Sequence, residues 1–211
     1  MQQAYEINVR TWCAERSLAL GRPATLDDLD HEFFDRLVED CYTWLYLLGV
    51  WPTGPLSLAE SRANAHLRRY LERVLPDFRE TDVTGSVFAI SGYEVDAALG
   101  GDAALERLRD RARSSGLALM LDFVPNHTGL DHPWLREHPE WFIRGDERAL
   151  LERPEAHVRV GNQVFAHGRD PFFPPWRETA QLDYANQQVQ EAMIRAASSV
   201  AARCDGLRCD M

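Results

Sequence analysis

The stretch from Gly116 to Gly129, G-L-A-L-M-L-D-F-V-P-N-H-T-G, combines an almost unbroken apolar run with one carboxylate in its midst. Such a run fits a strand buried on both faces, as in a parallel sheet covered by helices. A period of two puts Ala118, Met120, Asp122 and Val124 on one face and Leu117, Leu119, Leu121 and Phe123 on the other. Asp122 is the anomaly, because a carboxylate on a buried strand is costly unless it is paired or hydrogen-bonded. Pro125 ends the ladder, and Asn126 and His127 follow just past the strand's C-terminal end, where open sheets and barrels place their working residues. Taken alone, the stretch favours the plainer reading of a structural carboxylate followed by a loop histidine.

The last residues, Asp205 to Met211 (D-G-L-R-C-D-M), shift that balance. Alternation over a short strand sets Gly206, Arg208 and Asp210 on one face and Leu207, Cys209 and Met211 on the other. An arginine two residues before an aspartate on the same face favours the ionised carboxylate, which suits a nucleophile. D-F-V-P-N-H and G-L-R-C-D together resemble two signature segments of the α-amylase family of glycoside hydrolases, in the same order. Gln181 to Asn186, Q-L-D-Y-A-N, resembles the short motif that the family carries between them. Three motifs in order identify the chain far more specifically than one.

The remaining pattern alternates strands and helices. Ala4 to Arg10 reads as a first strand with Trp12 at its end, and Thr25 with Asp28 forms a variant capping box that opens a helix bearing Leu29, Phe33, Phe34 and Leu37. Trp44 to Val50 reads as a second strand, so the β-α-β spacing predicts a parallel pair. A charged helix is expected from Ser57 to Leu75, with Leu67, Leu71 and Val74 as its buried stripe. Asp102 is expected to cap a helix running to Arg113, closed by Gly116. From Thr128 to Gln181 the rhythm lapses, yet Trp134, Trp141, Phe142, Phe165, Phe172, Phe173 and Trp176 crowd the segment. A long loop of that kind is usually functional, although most of these rings are expected to form a small core of its own. Asn186 then caps a helix carrying Val189, Met193, Ala197 and Val200.

The resemblance implies an α/β chain: a (β/α)8 TIM barrel truncated to about its first four strands, with an inserted loop-rich subdomain after strand 3. Residues 1–127 would carry strands 1 to 3, residues 128–181 the insert, and residues 182–211 the return to the barrel. It also implies retaining cleavage or transfer of α-glucosyl units. In that scheme Asp210 is the nucleophile, Arg208 keeps it ionised and oriented, His127 donates to the bound sugar, and Asp122 fixes the third strand while bordering the substrate. Tyr93, in a Gly-Tyr pair after the second strand, would stack beneath the sugar; a core tyrosine is an equally good reading. Asn126 and Asp183 match two ligands of the Ca²⁺ that ties the insert to the barrel in many members. The family's acid is a glutamate after the fifth strand and a second essential aspartate follows the seventh, both beyond the four strands read here. The family's histidine following the nucleophile has no counterpart either. The chain by itself is therefore expected to be inactive and to self-associate through open barrel edges. A non-catalytic binding subunit on the same fold is the alternative; the intact Asp210 and Arg208 count against it.

Composition narrows the partners. All 23 basic residues are arginine, which excludes Schiff-base chemistry and a phosphate-loop lysine, and the net charge of -10 argues against nucleic acid and anionic membranes. An α-glucan or oligosaccharide is compatible with it. Cys13, Cys41, Cys204 and Cys209 lack C-x-x-C spacing and read as buried thiols. The N-terminal residues show no basic-then-apolar leader, and no apolar run approaches membrane length, so a cytoplasmic location is expected.

Overall fold

The computed structural model describes residues 2–210. The chain forms two compact units: residues 2–52, 93–123 and 194–210 make one, and residues 53–92 and 124–193 the other. The insert is thus not a closed segment of its own, because the stretch after the second strand joins it.

The first unit is built on four strands, β1 (Ala4–Asn8), β2 (Trp44–Leu48), β3 (Ala118–Phe123) and β8 (Gly206–Cys209), all parallel and in the order β1-β2-β3-β8. This is the first half of the (β/α)8 sequence of strands. Ile7, Leu47, Leu121 and Leu207 lie in one row across the sheet, and Leu45, Leu47, Leu119 and Leu121 are completely buried on that face. The opposite face carries Glu6, Tyr46, Met120 and Gly206 in one row. There Trp44 reaches across Ala118 to β8, and a Cβ on Gly206 would lie 2.7 Å from the indole. Glycine at that position is what lets the ring cover a face that would otherwise be open.

Several helices differ from expectation. Val9 and Arg10 belong not to the first strand but to α1 (Val9–Leu20), which Asn8 caps by accepting the Arg10 and Thr11 amides. Its weak amphipathicity, with only Val9 and Cys13 buried, explains why no periodic stripe announces it. The Thr25–Asp28 capping box is present, but it opens a single 3₁₀ turn, and α2 (His31–Glu39) starts from its own cap, Asp30. The helix expected from Ser57 to Leu75 is two, α3 (Pro55–Ala63) and α4 (Ala65–Val74), divided at Asn64, which caps the second. Nothing on α4 is buried and Val74 is exposed, so the expected stripe does not form. Gly100, in a left-handed conformation, precedes α5 (Gly101–Ser114), so Asp102 is not its cap. Asp102 instead accepts from the Val95 amide and from Arg203, while Leu105 and Leu108 are buried.

The second unit contains the antiparallel pair β4 (His127–Gly129) and β7 (Thr179–Gln181), and the hairpin β5 (His157–Val160) with β6 (Gln163–Ala166). Two short helices, α6 (Trp134–Glu137) and α7 (Glu147–Glu152), accompany them. Trp141, Phe142 and Phe165 form its core, whereas Phe172 and Phe173 are exposed. Finally α8 (Gln187–Ala202), whose Gln188 amide is held by Asn186, buries Val189, Met193 and Val200 and leads into β8. Cys13 and Cys204 are buried; Cys41 and Cys209 are exposed, contrary to the reading of all four as buried thiols. Among the described residues no helix is long and apolar enough to cross a membrane.

Candidate active site

Four of the residues singled out by sequence lie in the first unit, Asp122, Arg208 and Asp210 at the C-terminal ends of β3 and β8 and Tyr93 outside any strand. The β3–β8 register places Arg208 beside Asp122, and the Asp210 amide donates to the Phe123 carbonyl at 2.8 Å, so pairing continues one step past β8 and fixes the Asp210 backbone. Arg208 Nη1 donates to Asp210 Oδ1 and lies 3.8 Å from Asp122 Oδ1. One guanidinium therefore stands between two carboxylates, in direct contact with the one assigned as nucleophile. Burial works against the charge on Arg208, but its hydrogen bond to Asp210 and the surrounding anions outweigh this and raise its pKa. It stays a cation.

Asp122 is 1% exposed. Its Oδ1 accepts the Tyr46 hydroxyl at 2.6 Å, and its main-chain carbonyl accepts the Trp51 indole N–H at 2.9 Å. Oδ2 is buried and has no hydrogen bond of normal geometry among the described residues, though the Gly49 amide still favours the charged form. Burial raises the carboxyl to about 6, against the opposing pull of Tyr46 and Arg208. The hydroxyl of Tyr46 in turn is driven far above the usual phenol range, by burial first and then by the carboxylate it serves. It remains a donor at any working pH. Asp122 thus contacts β2, the loop after it, and β8.

Tyr93 is half-buried, its ring stacked on Phe123 at 5.7 Å and edge-on to Trp51 at 5.5 Å. Arg10, at the head of α1, donates to the Gly49 and Trp51 carbonyls and holds the loop that leaves β2. Neither Tyr46 nor Arg10 belongs to a recognised motif. The signal for Tyr46 was available: a period of two on W-L-Y-L-L puts its hydroxyl on the same face as Asp122 once the strands are taken as parallel neighbours. Arg10 gave none, because α1 itself was not legible.

The other three lie in the second unit. His127 is 3% exposed, pairs with Gln181 in the β4–β7 register, and has its ring 5.1 Å from Trp176. Asn126 Oδ1 accepts Gln181 Nε2 at 3.0 Å, and Asn126 Nδ2 donates to the Arg169 carbonyl. Asp183 Oδ1 accepts the Ala185 amide at 3.0 Å. Ca²⁺ requires six to eight oxygens. Among the described residues no three His, Cys, Asp or Glu side chains gather as metal donors, and Asn126 Oδ1 is already engaged, so these residues do not fit a preformed calcium shell. Pro125, Asn126, Arg169, Asp170, Pro171 and Tyr184 line a cavity of about 300 Å³ beside them.

Residues 87–211 match the family described as "Alpha amylase, catalytic domain". An α-1,4-glucan:maltose-1-phosphate maltosyltransferase of Cereibacter sphaeroides is 41% identical over 98 residues, 43% of this chain and 14% of that protein. An α-amylase of Haloarcula japonica, MalA, is 24% identical over 119 residues, 56% of this chain and 16% of that protein. The chain therefore matches only a small part of the curated relatives' length. Among solved structures, the noncanonic maltogenic α-amylase AmyB of Thermotoga neapolitana superposes with a TM-score of 0.60 at 22% identity, covering 99% of this chain and 38% of that one. The Bacillus licheniformis trehalose-6-phosphate hydrolase gives 0.62 at 18%, over 89% and 31%. The family match spans more than half of the sequence and includes all three motifs, and so the chain belongs to the α-amylase family.

Proposed function

We propose that this chain provides the nucleophile-bearing half of an active site that cleaves or transfers α-glucosyl units of α-glucans with retention. The observation that carries the reading is the Asp122–Arg208–Asp210 row at the C-terminal ends of parallel strands, with Arg208 in contact with Asp210. In the first step Asp210 attacks the anomeric carbon, the glycosidic C–O bond breaks, and an acid protonates the departing oxygen. The resulting glycosyl ester on Asp210 is then displaced by water or by a sugar hydroxyl, which restores the carboxylate and the original anomeric configuration. Arg208 orients Asp210 for both displacements. The family resemblance gives Tyr93, whose ring packs on Phe123 and Trp51, the role of stacking beneath the sugar. It separately gives His127 the role of a donor to sugar hydroxyls.

The acid belongs on a further strand that the four-stranded sheet does not include. The chain alone is therefore expected to leave maltooligosaccharides intact. Joined to the remaining strands of a closed barrel, it should turn them over, and Asp210→Asn should lower kcat by roughly four orders of magnitude without altering the fold. Near-normal turnover by that variant would remove Asp210 from the role. Among the curated relatives the higher identity is to a maltosyltransferase, which favours transfer to a glucan hydroxyl over hydrolysis; product analysis with and without a glucan acceptor distinguishes the two.

A further inference from the structure

Two buried or half-buried carboxylates compete for one guanidinium, and the structure shows what settles the competition. Arg208 Nη1 touches Asp210 Oδ1, yet it is only 3.8 Å from Asp122 Oδ1. That same Asp122 oxygen accepts the Tyr46 hydroxyl at 2.6 Å. We propose that Tyr46 is a positioning residue: by occupying the Asp122 oxygen nearest the cation, its hydroxyl keeps Arg208 committed to Asp210. The catalytic consequence rests on the reading of Asp210 as nucleophile, but the geometry does not.

Titratable groups from each neighbouring strand bear on the Arg208–Asp122 pair. On β2 there is Tyr46; on β3, Asp122; past β8, Asp210; and on β1, Glu6 shares Tyr46's row and its negative charge reaches the phenol. Burial holds Asp122 near 6, so at neutral pH it is mostly an anion and a real competitor for the cation. Its Oδ2 has no hydrogen bond of normal geometry among the described residues. If Oδ1 lost its donor as well, both oxygens of an anion 2% exposed at its side chain would lack a side-chain partner, with a cation nearby. The Arg208 side chain is 39% exposed. A shift of about 1 Å would bring Nη1 within hydrogen-bond range of Asp122, at the expense of its contact with Asp210.

The test reads the partner of Arg208 directly, in the chain as it stands, from the ¹⁵Nη resonances of its guanidinium, assigned with Arg208→Lys. In the unaltered chain, Asp210→Asn should move these resonances strongly and Asp122→Asn should leave them nearly unchanged. In the Tyr46→Phe background the order should reverse: Asp122→Asn should now move them by more than half of what Asp210→Asn did before. A phenol that merely fills space would lower the melting temperature and leave this pattern intact. Should Tyr46→Phe fail to fold, titration of the unaltered chain still decides: protonating Asp122 near pH 6 should leave the Arg208 signals still. Signals that follow Asp122 with Tyr46 present, or ignore it with Tyr46 absent, overturn the proposal. Neither arm depends on turnover, so a failed nucleophile assignment and a failed positioning role give different results.

Discussion

The Tyr46 hydroxyl and the Asp122 carboxylate, 76 residues apart in sequence, meet at 2.6 Å on neighbouring strands of the sheet. That contact does not fully offset the burial of Asp122, whose carboxyl lies at about 6 against an ordinary 3.8. The sign of the resulting pH dependence follows. Between about pH 4 and 6 the unfolded chain has released this proton while the folded chain retains it, so stability falls as pH rises through that window. The cost at neutral pH is about 3 kcal/mol. Asp122→Asn keeps an oxygen for Tyr46 and removes the titration. Its melting temperature should vary less across pH 4–7 than that of the parent, and at pH 7 it should equal or exceed it. An unchanged pH dependence with a lower melting temperature at pH 7 in the variant would show that Asp122 is stabilised as an anion.

The glycine that ends the Gly116–Gly129 stretch has a steric explanation. Gly129 donates its amide to the Ile90 carbonyl at 2.7 Å, and a Cβ there would lie 2.4 Å from the Ala89 carbonyl oxygen. Backbone on both sides cannot yield as a flexible side chain could. Gly129→Ala should therefore destabilise the second unit by about 1–3 kcal/mol, visible as earlier protease cleavage within residues 124–193. Unchanged protection would mean that the close approach is not a constraint.

These two sites show which parts of the structure were legible in the sequence. The β3 run, its face pattern and the Asp122 anomaly could be read because a buried parallel strand carries its burial in every residue. Asp210 and Arg208 were legible for the same reason, through alternation over D-G-L-R-C-D-M. What could not be read depends on distant partners. Arg10 holds the Gly49 and Trp51 carbonyls from a helix with little amphipathic signal. Asp205, on no recognised motif, accepts the Leu119 amide and the Arg109 guanidinium, tying the start of β8 to β3 and α5. Asp131 caps α3 from 74 residues away by accepting the Ser57 amide, where a local residue would ordinarily do so. Spacing along the chain contains no trace of such contacts.

The calcium expectation meets a specific obstacle in Gln181, whose Nε2 donates to both the main-chain and the side-chain oxygen of Asn126, at 2.9 and 3.0 Å. An amide N–H in that position occupies the lone pairs a cation would need. The melting temperature of this chain is accordingly expected to be the same with chelator as with millimolar Ca²⁺, since only a ligand that binds the folded state raises it. A concentration-dependent rise with Ca²⁺ but not Mg²⁺ would show that Asn126 exchanges Gln181 for the ion.

The edges of the four-stranded sheet lead to the last expectation. Among the described residues β1 and β8 each pair on one side only, and both are parallel strands whose outer N–H and C=O groups would be paired in a closed barrel. Trp44 covers part of the inner face by lying over Gly206, but Met120 and Leu48 on that face remain only partly buried. Glu6 is exposed on β1, and a charge at an edge strand discourages pairing with a like edge. Arg208 on β8 has the opposite sign. Edge-to-edge pairing should therefore favour β8 of one copy against β1 of another over like with like. Sedimentation should show concentration-dependent association that weakens with Glu6→Arg and recovers when Glu6→Arg is combined with Arg208→Glu. A species that stays monomeric at all concentrations, or association indifferent to both charges, would show that these edges are protected by some other means.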